Sequence, residues 1–140
     1  MSTRSRLAGL LLLLQAAGCG HDDPALAPVR GRVFYRGALL THGSIVFTPD
    51  ADRGGQGPLA RGDIRADGTF TLTADGHPGA PPGWHRVSVV SVEAPLTKPT
   101  GTEFADVRSL LPRKYAAPDL SGLDAQVKSG EDNVIDFHLE

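Results

Sequence analysis

The sequence predicts an all-β, antiparallel sandwich, and three observations carry that expectation. From Val29 onward, short segments in which apolar and polar residues alternate with period 2 recur at intervals of roughly 8 to 14 residues. Turn formers separate them: the 140 residues include 17 glycines and 11 prolines, many for a helical chain, while a hydrophobic fraction of 40% argues against disorder. Finally, no ten-residue window outside residues 102–111 keeps a helical period free of proline and glycine. A chain of this length holds one domain around one core, which excludes a multidomain enzyme. Fourteen basic and 16 acidic residues give a net charge of −2 without long runs of one sign. That pattern lacks the electrostatic footprint of a nucleic-acid partner.

Residues 1–18 read as an export signal. Arg4 and Arg6 precede an apolar stretch over residues 7–14, and the small residues Ala16, Ala17 and Gly18 follow. Eight apolar residues would span about 12 Å as a helix, against roughly 30 Å of hydrocarbon, so the stretch is too short to cross a membrane. Cys19 is the single cysteine and directly follows Ala16-Ala17-Gly18. The segment resembles the lipobox of bacterial lipoproteins, with Ala16 where leucine is usual. The resemblance implies cleavage before Cys19, a diacylglyceryl (palmitate-type) modification on its thiol and acylation of the new amino terminus. Two other readings are secretion with cleavage after Gly18, leaving a free thiol, and an incidental cysteine. A single cysteine allows no internal disulfide. Removal of residues 1–18 takes away Arg4 and Arg6 and no acid, shifting the net charge from −2 to −4. Residues 19–28 are expected to be the lipidated cysteine and a flexible tether, since they contain two prolines and no period; the nine residues after Cys19 would reach about 30 Å.

Residues 29–140 are expected to form the sandwich domain. Val29, Gly31, Val33 and Tyr35 alternate with Arg30, Arg32, Phe34 and Arg36. After a turn over residues 37–43, Ile45 and Phe47 share a face until Pro49. A glycine-rich loop over residues 50–58 leads to Ala60, Gly62 and Ile64, which alternate with Arg61, Asp63 and Arg65. Asp67-Gly68 then marks a tight hairpin into Phe70 and Leu72. The longest strand is expected over residues 84–93, with Val87 and Val89 on one face and Val90 and Val92 on the other, which points to a central position. Leu123, Ala125 and Val127 form a further strand, and Ile135, Phe137 and Leu139 alternate to the end. The candidate core is Val33, Ile45, Phe47, Phe70, Leu72, Val87, Val89, Ile135, Phe137 and Leu139.

Several short motifs occur in one order: Val33-Phe34-Tyr35-Arg36-Gly37, Gly43-Ser44-Ile45-Val46-Phe47-Thr48-Pro49, Asp67-Gly68-Thr69-Phe70-Thr71-Leu72, Gly79-Ala80-Pro81-Pro82-Gly83 before Val87-Ser88-Val89, and Leu111-Pro112-Arg113-Lys114-Tyr115. Together with Ser121-Gly122-Leu123 and residues 130–139 they resemble the small lipoproteins of planctomycete-type bacteria described as carboxypeptidase regulatory-like or transthyretin-like domains. The resemblance covers nearly everything from Cys19 onward. It implies a Greek-key sandwich of prealbumin type with about seven strands, and it implies no reaction. His85 stands where that family tends to place tyrosine.

The chain offers little for catalysis. A His-x-x-Glu pair or a His-Glu-x-x-His motif is absent, and His21, His42, His77, His85 and His138 are scattered, so no metal or cofactor is expected. Its end, Phe137-His138-Leu139-Glu140, lacks the Tyr-Arg-Gly-Ser of transthyretin-like urate-pathway hydrolases. Asp50, Asp52, Gly54 and Gly55 faintly resemble a calcium loop, but Arg61 falls where the bidentate glutamate should stand. Arg61-Gly62-Asp63 spells an adhesion tripeptide within an alternating strand and carries no weight. Ser44, Ser88, Ser91, Ser109 and Ser121 have no adjacent base. Trp84 could stack on a sugar ring, with Tyr35 and Tyr115 as the other available platforms, or could cover the sandwich edge. Residues 95–120 form a connection longer than a hairpin needs, fit for a binding loop or an edge cover, with Leu111, Pro112 and Tyr115 pinned and Arg113 and Lys114 exposed. The ligand or partner surface nominated by sequence is therefore Trp84, Arg113, Lys114 and Tyr115.

The resulting expectation is an exported, non-enzymatic module of the cell envelope, lipid-anchored through Cys19 to a bacterial membrane and facing the periplasm or cell exterior. Its expected partners are that membrane and envelope proteins. The alternative is a binding protein for a small envelope ligand such as a glycan.

Overall fold

The structure, a computed structural model, describes residues 25–93 and 107–140. The signal segment 1–18, Cys19 and the first half of the 102–111 window, residues 102–106, lie outside the described residues. Within that window, residues 107–111 are not helical, and Ser109 makes a β-bridge with Val92.

The chain is an all-β sandwich of two sheets. In chain order the strands are β1 (Val29–Tyr35), β2 (Ala38–Leu39), β3 (Gly43–Pro49), β4 (Ala60–Ile64), β5 (Thr69–Thr71), β6 (Thr73–Ala74), β7 (His77–Pro78), β8 (Gly83–Val90), β9 (Leu123–Val127), β10 (Asn133–Val134) and β11 (Phe137–Leu139). The expected seven strands become eleven segments because two strands are interrupted and two short hairpins are added. In the first sheet β1 is central, with β2 and β5 on one edge and β10 and β11 on the other; the second has the order β7-β6-β4-β3-β8-β9.

A single continuous stretch, 69–74, links the layers. Thr69–Thr71 pairs with β1, and after Leu72 the stretch pairs with β4 as Thr73–Ala74. β3, β4 and this stretch run antiparallel in succession, and β8 returns beside β3, so the order β6-β4-β3-β8 is that of a Greek key. The Asp67-Gly68 hairpin forms by Arg65 and Gly68: Gly68, at φ +77°, donates to the Arg65 carbonyl at 2.8 Å, and Arg65 donates to the Thr69 carbonyl at 2.9 Å.

The pairings of β1 with β10 and with β11 are parallel. β1 runs alongside β10 and β11 with Val29 opposite Asn133 and Val33 opposite Phe137. Between those two segments Asp136 replaces the missing backbone partner, accepting the Arg32 backbone N–H at 2.9 Å and its guanidinium at 2.8 Å. Gly31 sits at this interruption because a Cβ there would enter the Ile135 carbonyl. The parallel pairing also fixes two poles: Ala27, residues 50–58 and residues 75–83 lie at one, and residues 36–42 with Glu140 at the other.

The core lies where alternation places it. Phe47, Phe70 and Phe137 form an aromatic cluster with centroids 5.8 to 6.4 Å apart, the 5.8 Å pair edge-on. Val33, Ile45, Leu72, Val87, Val89 and Leu139 are buried around it, while Ile135 is half-buried at the ladder interruption. β8 is the longest strand, eight residues between β3 and β9, as apolar residues on both faces imply. The expected tether ends earlier than Pro28. Leu26 packs on the core, Ala27 exchanges two 2.9 Å backbone bonds with Ala80, and Pro28 accepts from Asn133, so these three residues belong to the sandwich.

Candidate functional site

The most polar constellation grows from the loop after β3. Asp50 is a residue of the kind that stops strands and caps turns: its carboxylate accepts from the Asp52 backbone N–H at 3.2 Å and so caps a single 3₁₀ turn, Ala51–Arg53. The turn brings Arg53 back onto Asp50 at 2.8 Å, and Arg53 also reaches Asp124 on β9 at 2.8 Å. Arg86, projecting from β8, contacts Asp50 at 3.3 Å, Asp52 at 2.7 Å and Asp119 at 2.6 Å. Asp50 is only 3% exposed. Its bond from Arg53, aided by Arg86, holds its carboxyl below the usual carboxylate range against the opposing effect of desolvation.

This network decides the position of Trp84. The half-buried indole carries the Arg53 guanidinium 4.4 Å above its centre, so one ring face is already occupied. A depression of about 260 Å³ adjoins the network of Asp50, Asp52, Arg86 and Asp119, with Thr48 and Pro118 also in its lining. The acids that sequence compared with a calcium loop are thereby engaged by two arginines, and among the described residues no group of three histidine, cysteine or acidic side chains converges as a metal site.

Tyr115 lies on a second 3₁₀ turn, Arg113–Ala116, which begins after Pro112. Its ring is 4% exposed, and its hydroxyl bonds both backbone groups of Glu140. Arg113 and Lys114 are exposed, with the Lys114 ammonium 4.8 Å over the Tyr115 ring. Trp84 opens β8 at the pole where the chain joins the sandwich, whereas Tyr115 is tied to Glu140 at the other pole. The four residues nominated together therefore belong to two separate places.

His85 faces inward, 1% exposed, with its ring 5.7 Å from that of Phe47. Nδ1 lies 3.1 Å from the Gly83 carbonyl, and Nε2 is buried without a partner. Burial lowers its pKa below the ordinary histidine value, opposed in part by the Gly83 bond. Of the other histidines, His42 lies 3.1 Å from the Val92 carbonyl, His138 stacks on Phe34 at 4.7 Å, and His77 is exposed. The hydroxyls of Ser91 and Ser121 are directed to the carbonyls of His42 and Val87.

Sequence reasoning did not find Arg53 or Arg86. Their partners are brought close by the registers of β3 with β8 and of β8 with β9, which leave no local trace; only the Asp50 turn signal was visible. Among the described residues no helix is long and apolar enough to cross a membrane. Comparison with known proteins adds no relative: no family model, curated protein or solved structure matches the chain.

Proposed function

We propose that this chain is a non-catalytic, lipid-anchored module of a bacterial cell envelope, in which the sandwich is a structural or protein-interaction unit. The observation that carries this reading is the position of Cys19, directly after Ala16-Ala17-Gly18 and six residues before Ala25, where the described fold begins. Six residues reach about 20 Å, which keeps the Ala27 pole near the bilayer and presents the Glu140 pole away from it. The fold supports a structural role. Asp50 is consumed by two arginines, and the Ser91, Ser121 and Tyr115 hydroxyls by backbone groups.

Two acyl chains anchor stably where one binds only marginally. Growth with labelled palmitate should label the wild type and retain it in membranes, and Cys19→Ala should be unlabelled and either released or left as precursor. An unlabelled wild type would overturn the anchor. The second reading, a binder of an envelope glycan, is favoured by an open polar depression along the seam between β4 and the 69–74 stretch, lined by Arg61, Asp63, Arg65, Thr71 and Thr73.

A further inference from the structure

Where the 69–74 stretch changes sheets, two shallow depressions meet. One, of about 310 Å³, is lined by Arg61, Asp63, Arg65, Thr71 and Thr73. The other, of about 210 Å³, is lined among others by Arg30, Thr71, Pro78 and Asp132. Thr71 lines both, so the two depressions adjoin at the seam and are treated together as one groove. The groove exists because Gly62 has no side chain: a Cβ there would enter the Thr71 carbonyl, and the bare backbone lets β5 pass close beneath β4.

The groove is ready to make polar contacts. Arg30 stands directly opposite Thr71 in the ladder, and Arg61 opposite Thr73. Arg65 is held in place by the Thr71 hydroxyl at 2.7 Å and the Thr69 hydroxyl at 3.3 Å. Among the described residues, Arg30, Arg61, Asp63 and Asp132 enter no ion pair, although Arg32, Arg53 and Arg86 all do.

We infer that this groove binds an oligosaccharide strand bearing carboxylates, a uronic-acid type of glycan. The inference deepens the glycan reading above and rests on it, and it is independent of the anchor. Donor and acceptor complementarity selects this occupant. Three guanidiniums offer planar forks to carboxylates, whereas Asp63 and Asp132 can only accept, which sugar hydroxyls satisfy. A polyanion without hydroxyls, such as an acidic peptide, would leave those two carboxylates facing like charge. Pro78 and the apolar wall beside it suit the C–H faces of sugar rings. Two open depressions that share Thr71 suit a chain more than a compact molecule.

The test is titration calorimetry of the full chain, in detergent, with pentagalacturonate, maltopentaose and pentaglutamate. Pentagalacturonate should bind, more weakly as salt rises, and the other two should not. Arg30→Gln and Arg61→Gln should each weaken binding by about threefold to tenfold with an unchanged melting midpoint, and Arg36→Gln, an exposed cation that lines neither depression, should leave it unaltered. Binding of maltopentaose without pentagalacturonate would keep the glycan reading and overturn the acidic sugar. Equal binding of pentaglutamate, or no binding at all, would overturn both, as would pentagalacturonate binding that Arg36→Gln weakens as much as Arg30→Gln.

Discussion

The Tyr115 hydroxyl accepts the Glu140 backbone N–H at 2.9 Å and donates to the Glu140 carbonyl at 3.2 Å. A buried ring thus ties a loop turn to the residue just past β11, on the outer edge of the first sheet. The ring contributes through burial, and the hydroxyl through one short tie that water can replace in part. Tyr115→Phe should cost about 1 kcal/mol and Tyr115→Ala about 3 to 5 kcal/mol in urea unfolding. Amide exchange should quicken around residues 111–117 in the alanine variant. Unchanged stability in Tyr115→Ala would remove the structural role.

Phe47 stands at the centre of the core, touching Phe70, Phe137 and His85 by its ring. Phe47→Ala should cost about 3 to 5 kcal/mol, a large part of the roughly 5 to 15 available to such a domain. A loss below about 1 kcal/mol, read from the urea midpoint at constant m, would contradict the packing of the two sheets.

Gly31 is a second sensitive point for a different reason. Gly31→Ala drives a methyl into the Ile135 carbonyl, where backbone, not a flexible side chain, must move. The expected cost is about 3 kcal/mol or more. Gly37→Ala meets nothing within 4 Å and should suffer only from its φ of +80°, costing about 1 kcal/mol. Equal melting midpoints for the two variants would mean that β1 and β10 are not paired in this register.

His85 makes the fold acid-sensitive. Its pKa is lowered in the folded state by burial, so between the ordinary value near 6.5 and that lowered value the unfolded chain binds the extra proton. Its contribution to stability is therefore complete above about pH 6.5 and is lost as pH falls below it. The urea midpoint of the wild type should drop between pH 7.5 and pH 5.5, and His85→Phe should flatten that dependence whatever its stability at pH 7.5. An identical slope in the two proteins would place the titration elsewhere.

Much of this fold was legible because it follows from period-2 alternation. Val29, Val33, Ile45, Phe47, Phe70, Leu72, Val87 and Val89 each sit on the apolar side of a strand, and burial follows from that side alone. Asp67-Gly68 was equally clear, since a tight turn needs its chemistry within four residues. The parallel pairing of β1 with β11 was not legible: Arg32 and Asp136 are 104 residues apart, and nothing local to either records the other. The same holds for Arg53 over Trp84. An indole at a strand start looks like an open platform until the turn at Asp50 folds a guanidinium over one face. Ile135 was read as core because alternation continues through it, and the side-chain substitution by Asp136 in the ladder is what leaves it half-buried.

The central claim is that a lipid on Cys19 holds the sandwich at a membrane, and mass spectrometry of the N-terminal peptide from membrane-extracted chain tests it most directly. The expected product is a peptide that begins at Cys19 and carries a thioether-linked diacylglycerol. A peptide that begins at Cys19 with a free thiol, or one that retains residues before it, would contradict it.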